Sequence, residues 1–336
     1  MSETLVFDTA ERLFADHSTP AVVNAAEAGT WPEALWDAVA SAGFLDALGD
    51  DAGLGGLADA AAVLRAAGRH AVPLPLADTM LARWLAKRAK LTLPAGPLAL
   101  AVESAELRLD LRGNRLSAEI SAVPWASTAE ALVVSLGDKV LLLRKGEFEA
   151  RRGRSLAGEP NDAVSIDREV PAASIGTGVE AAIAFRLGAL LRAIEMAGAL
   201  EAALQLAVTY ANDRVQFGRP IGKFQAIQQQ LALAAEQVAA AGVAANAAVS
   251  AGAVDLAFSA AAAKLRAGEA AGKVADIVHQ VHGAIGFTHE HRLHHFTRRL
   301  WSWRDEFGHE SFWAAELGRL VAAQGADGLW PFLAAR

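Results

Sequence analysis

Residues 210–229, YANDRVQFGRPIGKFQAIQQ, decide how this chain is read. Alanine-rich helical sequence flanks them on both sides, and ending a helix does not require Arg-x-Gln-Phe-Gly-Arg-Pro. A guanidinium grips a diphosphate through paired hydrogen bonds, and the amides that open a following helix add partial positive charge beside it. The stretch therefore predicts an anion-binding turn between two long helices. Read alone, Arg214 has a second explanation as a cation at a helix C-terminus, worth some tenths of a kcal/mol to about 1 kcal/mol.

Downstream, one long helix is predicted over 178–212, a second over 224–250 and a third over 254–282, with two shorter ones after the glycine break at 283–286. Their alanine content and scarcity of β-branched residues fit a close-packed antiparallel bundle. Upstream, from 91 to 172, the period changes. LRLDL-RGNR-LSAEI alternates about Gly113-Asn114, and ALVVSLGDKVLLLR forms two apolar runs about Gly137-Asp138. Both read as tight hairpins in a small β domain of five or six strands.

Residues 1–90 read as four helices. The first is amphipathic over 3–15. The second starts at Thr30-Trp31-Pro32-Glu33, with a capping hydroxyl and an early proline, and runs to Gly43. GDDAGLGGL at 49–57 is a plain turn, since two aspartates and no lysine argue against a phosphate cradle. LADAAAVLRAAGRH and ADTMLARWLAKRA complete the set. The expected organisation is α+β, mostly α. A helical domain (1–90) precedes a small, reduced β domain (91–175) and a C-terminal bundle of four long helices (176–336).

The chain has 336 residues, 53% of them hydrophobic, enough for two or three domains. Its net charge of −7 argues against a nucleic-acid groove. It has no cysteine, which excludes disulfides, thiolate catalysis and cysteine-ligated metals. MSETLVFDTAERLF lacks the basic start and apolar run of a signal peptide. The most apolar stretch, 181–209, carries Arg186, Arg192, Glu195 and Glu201, too many charges for a membrane span. A soluble, cytoplasmic protein is expected.

The order of helical domain, small β domain and long-helix bundle resembles the acyl-CoA dehydrogenase family. Two segments carry the resemblance: RVQFGRPIGKFQ at 214–225, similar to the family's flavin-binding turn, and QVHGAIGF at 280–287, similar to its glycine-rich turn. The resemblance implies FAD, an acyl-CoA thioester oxidised across its Cα–Cβ bond, and an electron-transfer flavoprotein as acceptor. It implies that Arg214 pairs with the FAD diphosphate, Gln216 hydrogen-bonds it, and Phe217 packs on the adenosine side. Ile221, Phe224 and Gln225 line the same groove, while Gln280, Gly283 and Ala284 pass beside the diphosphate and ribitol. In the family these contacts reach a flavin seated mainly on a neighbouring subunit, so an oligomer is expected. Gln280 and Gly283 also read as a simple helix stop.

The departures from the family pattern are as telling. The two positions that carry the catalytic base in its members correspond here to Phe307 and Gly188, and neither takes a proton. Glu306 stands next to the first of them. A one-residue offset turns a helical side chain by about 100°, so Glu306 is a weak catalytic candidate and reads more simply as a solvated or capping glutamate, like Asp305 and Glu310. The family's flavin-ring segments are missing as blocks; Trp125 in VPWAST is the nearest remnant, and reads either as a ring-stacking or as a core side chain. Short length, reduced β domain, missing base and the segment AVPLPLADTMLARWLA resemble the short subunit of bacterial α2β2 acyl-CoA dehydrogenases that shorten steroid-CoA side chains.

Six of nine histidines fall in 279–295, but they span a turn, and no metal is expected. The basic, aromatic run 292–304 and Arg151-Arg152-Gly153-Arg154 read as a packing helix and a solvated loop. Three functions remain open: a flavin-dependent subunit working with a base-carrying partner, a self-sufficient homo-oligomer using Glu306, and a non-catalytic stabilising subunit.

Overall fold

The computed structural model describes residues 3–49, 54–104, 107 and 109–336. Part of the 49–57 turn (50–53), the chain start at 1–2 and positions 105, 106 and 108 before the first hairpin lie outside the described residues.

Five helices come first: α1 Glu3–His17, α2 Pro20–Glu27, α3 Glu33–Ser41, α4 Leu57–Arg69 and α5 Leu76–Arg88. The unexpected one is α2, which Pro20 opens and the Thr19 hydroxyl caps. The cap expected at Thr30 does not form. Pro32 is the N-cap of α3, with no side-chain hydrogen bond.

Eight strands follow instead of five or six: β1 Leu98–Val102, β2 Asp110–Arg112, β3 Arg115–Pro124, β4 Ala131–Leu136, β5 Lys139–Arg144, β6 Glu149–Arg151, β7 Asn161–Glu169 and β8 Ile175–Thr177. They build two four-stranded sheets, ordered β1-β4-β5-β8 and β2-β3-β7-β6. Both hairpins form as read, with Arg112 paired to Arg115 and Leu136 to Lys139. Along β4, Leu132 and Val134 join the core between the sheets, while Ala131 and Val133 join the core shared with the helices. That alternation seats the sheets on the helical body.

The bundle consists of α6 Ala181–Asp213, α7 Gln225–Ala251 and α8 Leu256–His282, close to the expected spans, followed by α9 Leu293–Trp303, α10 Glu310–Ala322 and α11 Gly325–Ala334. Three short helices thus follow α8, one more than expected. The fold is α+β, mostly α. A continuous core joins the N-terminal helices to the bundle, through buried Phe14, Leu64, Leu81, Leu190 and Val274 among others. Glycine sets the α4–α6 crossing: a Cβ on Gly68 would fall 2.0 Å from the Glu195 carbonyl oxygen, and one on Gly198 2.0 Å from that of Arg65. By length and composition α7 alone among the described helices is apolar enough to cross a membrane; it packs here against α6 and α8.

Candidate functional site

At the end of α6 the Arg214 N–H donates to the Tyr210 carbonyl (2.8 Å), and the Arg214 carbonyl accepts from Ile221 N–H (2.8 Å). Between these bonds β9 (Val215–Gln216) and β10 (Arg219–Pro220) form a hairpin closed by the Gln216–Arg219 pair. Its tip is Phe217 at φ 52° and Gly218 at φ 79°, the two positive φ values a type I′ turn requires. Phe217 is 92% exposed. A left-handed backbone costs a non-glycine residue about 1–2 kcal/mol, so this aromatic is both strained and unburied. Such an outlier points toward function. Arg214, Gln216 and Gln225 are exposed, Ile221 is buried, and Phe224 is half-buried with the Arg219 guanidinium 4.3 Å over its ring.

The second turn begins where α8 stops at Gly283, φ 64°. Gln280, Gly283 and Ala284 are exposed. Tyr210, just before the first turn, stacks on His282, just before the second, with ring centroids 4.7 Å apart. The two predicted sets of cofactor residues therefore share one end of the bundle.

The histidine-rich stretch is mostly packing. His282 Nδ1–H donates to the Val278 carbonyl (2.7 Å), and burial pushes its pKa down, so the ring is neutral. His279 stacks on Phe287 (4.6 Å) and meets the Thr297 hydroxyl (3.0 Å). Glu27, His294 and His295 have ligand atoms within 4.8 Å of one another. Arg298 (3.2 Å) and Arg299 (2.9 Å) both hold Glu27, however. Burial, then His294 and these arginines, push His295 down to about 3. That positive surrounding repels a cation.

The two positions expected to carry a base meet in space. A Cβ on Gly188 would fall 2.4 Å from Cε1 of Phe307, so the phenylalanine ring fills the room a side chain at 188 needs. Phe307 itself is left-handed, φ 54°. Trp313 Nε1–H holds its carbonyl at 3.0 Å, and the ring packs edge-on to Phe185 at 6.1 Å. Beneath the loop, buried Lys264 donates to the Arg304 (2.7 Å) and Gly308 (2.8 Å) carbonyls; burial pushes its pKa down to about 7.

Glu306 is neither solvated nor a cap. Its side chain turns to Arg192 (2.7 Å), which also binds Asp78 (2.8 Å) and Glu195. Burial pushes Glu195 up to about 8 and Glu306 up to about 7, against the pull of Arg192. Burial opposes the charge on Arg192 too, but Glu306, Glu195 and Asp78 outweigh it and keep the guanidinium protonated. Glu310 opens α10 and pairs with Arg304 (2.8 Å). Glu306 and Phe307 line a cavity of about 460 Å³ between β1, β3 and the loop after α9. The sequence reading missed this charge cluster. Its one signal was Arg192-x-x-Glu195 inside the most apolar helix. Trp125 is a core side chain, 6% exposed and edge-on to Trp31 at 5.9 Å.

Eighteen helical residues separate Arg192 from Tyr210, ~27 Å along α6. Within one chain, Glu306 and the two turns therefore lie at opposite ends of a long span.

Residues 176–304 match the family description "Acyl-CoA dehydrogenase, C-terminal domain". Acyl-CoA dehydrogenase IpdE2 of Mycobacterium tuberculosis is 33% identical over 309 residues, covering 87% of this chain and 88% of that one. The chain belongs to the acyl-CoA dehydrogenase family. Among solved structures, the Tcur3481–Tcur3483 steroid ACAD superposes with a TM-score of 0.82 at 26% identity, covering 96% of this chain and 98% of that one. The ChsE4–ChsE5 complex of Mycobacterium tuberculosis shares the fold, with a TM-score of 0.85 at 24% identity over 95% and 97% of the two chains. Both turns lie inside the matched family segment, whereas Glu306 and Phe307 lie just beyond it.

Proposed function

We propose that this chain is one subunit of an FAD-dependent acyl-CoA dehydrogenase and that a partner chain supplies the catalytic base. The observation that carries this reading is the Phe307 ring lying on Gly188, which leaves both base positions apolar and mutually filled. The exposed turns fit a cofactor held between subunits. Arg214 grips the FAD diphosphate, with Gln216 hydrogen-bonded to it. Phe217, already strained outward, packs on the adenosine side. Ile221, Phe224 and Gln225 line the groove, and Gln280, Gly283 and Ala284 run beside the diphosphate and ribitol. The ~27 Å of α6 between Arg192, the partner of Glu306, and Tyr210 at the turns favours a flavin shared with a neighbour. When bound, FAD supplies the redox chemistry, taking up the hydride lost from the acyl-CoA.

The subunit arrangement is α2β2, the acyl group a steroid side-chain thioester, the electron acceptor an electron-transfer flavoprotein and the location cytoplasmic. The name of the Tcur3481–Tcur3483 steroid ACAD, which gives two chains and a steroid, supports a hetero-oligomer and a steroid-related acyl group. Segments 1–90, 91–175 and 176–336 act as its domains. A second reading, a self-sufficient oligomer using Glu306, draws on a carboxyl held near neutrality at a cavity wall; its ion pair with Arg192 disfavours it. Two variants in the purified assembly separate these readings. Arg214→Ala lowers flavin content at least tenfold, and Glu306→Gln leaves turnover within a few-fold. Full flavin retention by the first, or lost turnover in the second, contradicts the proposal.

A further inference from the structure

The 460 Å³ cavity adjoins a small inner chamber of about 10 Å³, and the two share Asp78, Pro124, Ser155, Asn161 and Glu306. That volume takes one oxygen atom. Four polar atoms at this chamber make no hydrogen bond among the described residues: Ser155 Oγ, Asn161 Oδ1, Arg192 Nε and Glu306 Oε2. Glu306 Oε2 has its ion pair with Arg192 Nη2, without the alignment of a hydrogen bond. Arg192 is only 5% exposed. A buried polar atom left unpaired costs about 1–3 kcal/mol, so three on residues lining one chamber, beside the ion-paired Glu306, mark a place built for a guest.

Their chemistry selects the guest. Arg192 Nε–H can only donate; Asn161 Oδ1 and an ionised Glu306 can only accept; the Ser155 hydroxyl does either. An anion has no proton for Asn161 or Glu306 and faces Asp78 as well. A cation cannot accept from Arg192. A ketone or ether accepts but donates nothing. A hydroxyl does both. The outer cavity beside the chamber is lined by Leu100, Val102, Ile120, Val123 and Leu156 together with Ser121, Ser302 and Asp305, and has room for a molecule of fused rings.

We propose that the inner end of this cavity is a hydroxyl-binding subsite, where Arg192 donates to the alcohol oxygen of an apolar ring compound lying in the outer cavity, and Asn161 or Glu306 accepts its one hydroxyl proton. The inference rests on the cavity alone, and its test reads binding instead of turnover, so it stands or falls apart from the flavin reading.

The test is a calorimetric titration of the purified protein, in the assembly it forms, with naphthalene, 2-methoxynaphthalene and 2-naphthol. These share a ring system and differ in offering nothing, an acceptor only, or a donor and an acceptor. The account expects 2-naphthol to bind about thirtyfold tighter than naphthalene, from two added hydrogen bonds, and about fivefold tighter than 2-methoxynaphthalene, from the one its proton adds. The preference shrinks to within about threefold in Asn161→Leu, and partly in the milder Ser155→Ala. Equal affinities for the three probes, or a preference that survives both variants, overturns the proposal. So does a crystal structure in which an ordered water keeps the chamber while 2-naphthol lies elsewhere.

Discussion

Gly188→Ala places a methyl carbon 2.4 Å from Cε1 and 2.6 Å from Cδ1 of Phe307. Non-bonded carbons settle at about 3.5–4.0 Å, so the ring must retreat by about 1 Å or more. Position 188 cannot yield, because it is buried on α6, two turns in from its start. The loop carrying Phe307 resists as well, its carbonyls held by Trp313 and Lys264. Overpacking of this kind costs about 1–3 kcal/mol. Phe307→Ala alone loses part of a half-buried ring, about 2 kcal/mol, less than the ~3–5 kcal/mol of a fully buried one. In the double variant the new methyl enters the space the ring has left. The pair should therefore cost about 1–2 kcal/mol less than the sum of the single changes. Urea unfolding of the four proteins of the cycle, at unchanged m, measures this directly. Additivity within about 0.5 kcal/mol would refute the claim that the ring occupies the side-chain space of 188.

Three further outcomes follow from the same structure. Phe217→Asn relieves left-handed strain at an exposed site and should stabilise the isolated chain by roughly 0.5–1 kcal/mol, while lowering flavin retention in the assembly; thermal unfolding and the flavin spectrum read the two effects. Glu195 has a folded pKa of about 8 against an ordinary glutamate value of 4.5. Below pH 4.5 both states hold its proton and nothing changes; between 4.5 and 8 only the folded state keeps it, so stability falls by about 1.4 kcal/mol per pH unit. Glu195→Gln removes that term, and its unfolding free energy relative to the parent should rise by roughly 2–3 kcal/mol from pH 5 to 7; a flat difference contradicts the assignment. Lys264→Met should strip the Arg304 carbonyl of its side-chain donor, leave that of Gly308 to Trp313 alone, and cost about 2–4 kcal/mol in the same unfolding assay, little change meaning the loop does not depend on it.

The parts of this fold that local pattern encodes were legible in the sequence. Alanine-rich runs gave α6, α7 and α8 nearly to the residue, and Gly113-Asn114 and Gly137-Asp138 placed two hairpins, because periodicity and turn chemistry act over a few residues. The strands β6 and β8 are too short to show a period. The Thr30 cap was a sound local reading that did not form: Pro32 is the N-cap, and Trp31 packs on Trp36 and Trp125. Both turns were readable as turns because their residues are contiguous. The base region was not. The sequence identified Phe307 and Gly188 as empty of carboxylate, but only the fold shows that one fills the space of the other. Glu306 read as solvated because its partners, Arg192 and Asp78, lie on other helices far away in the chain, and no local signal announces a buried ion cluster.

The most direct test of the central claim is acyl-CoA-dependent dye reduction, with the flavin spectrum recorded, for this chain alone and together with a longer, base-carrying acyl-CoA dehydrogenase chain from a neighbouring gene. The account predicts no turnover and little flavin from the chain alone, and both from the assembly. Full turnover with stoichiometric flavin from this chain by itself would contradict it.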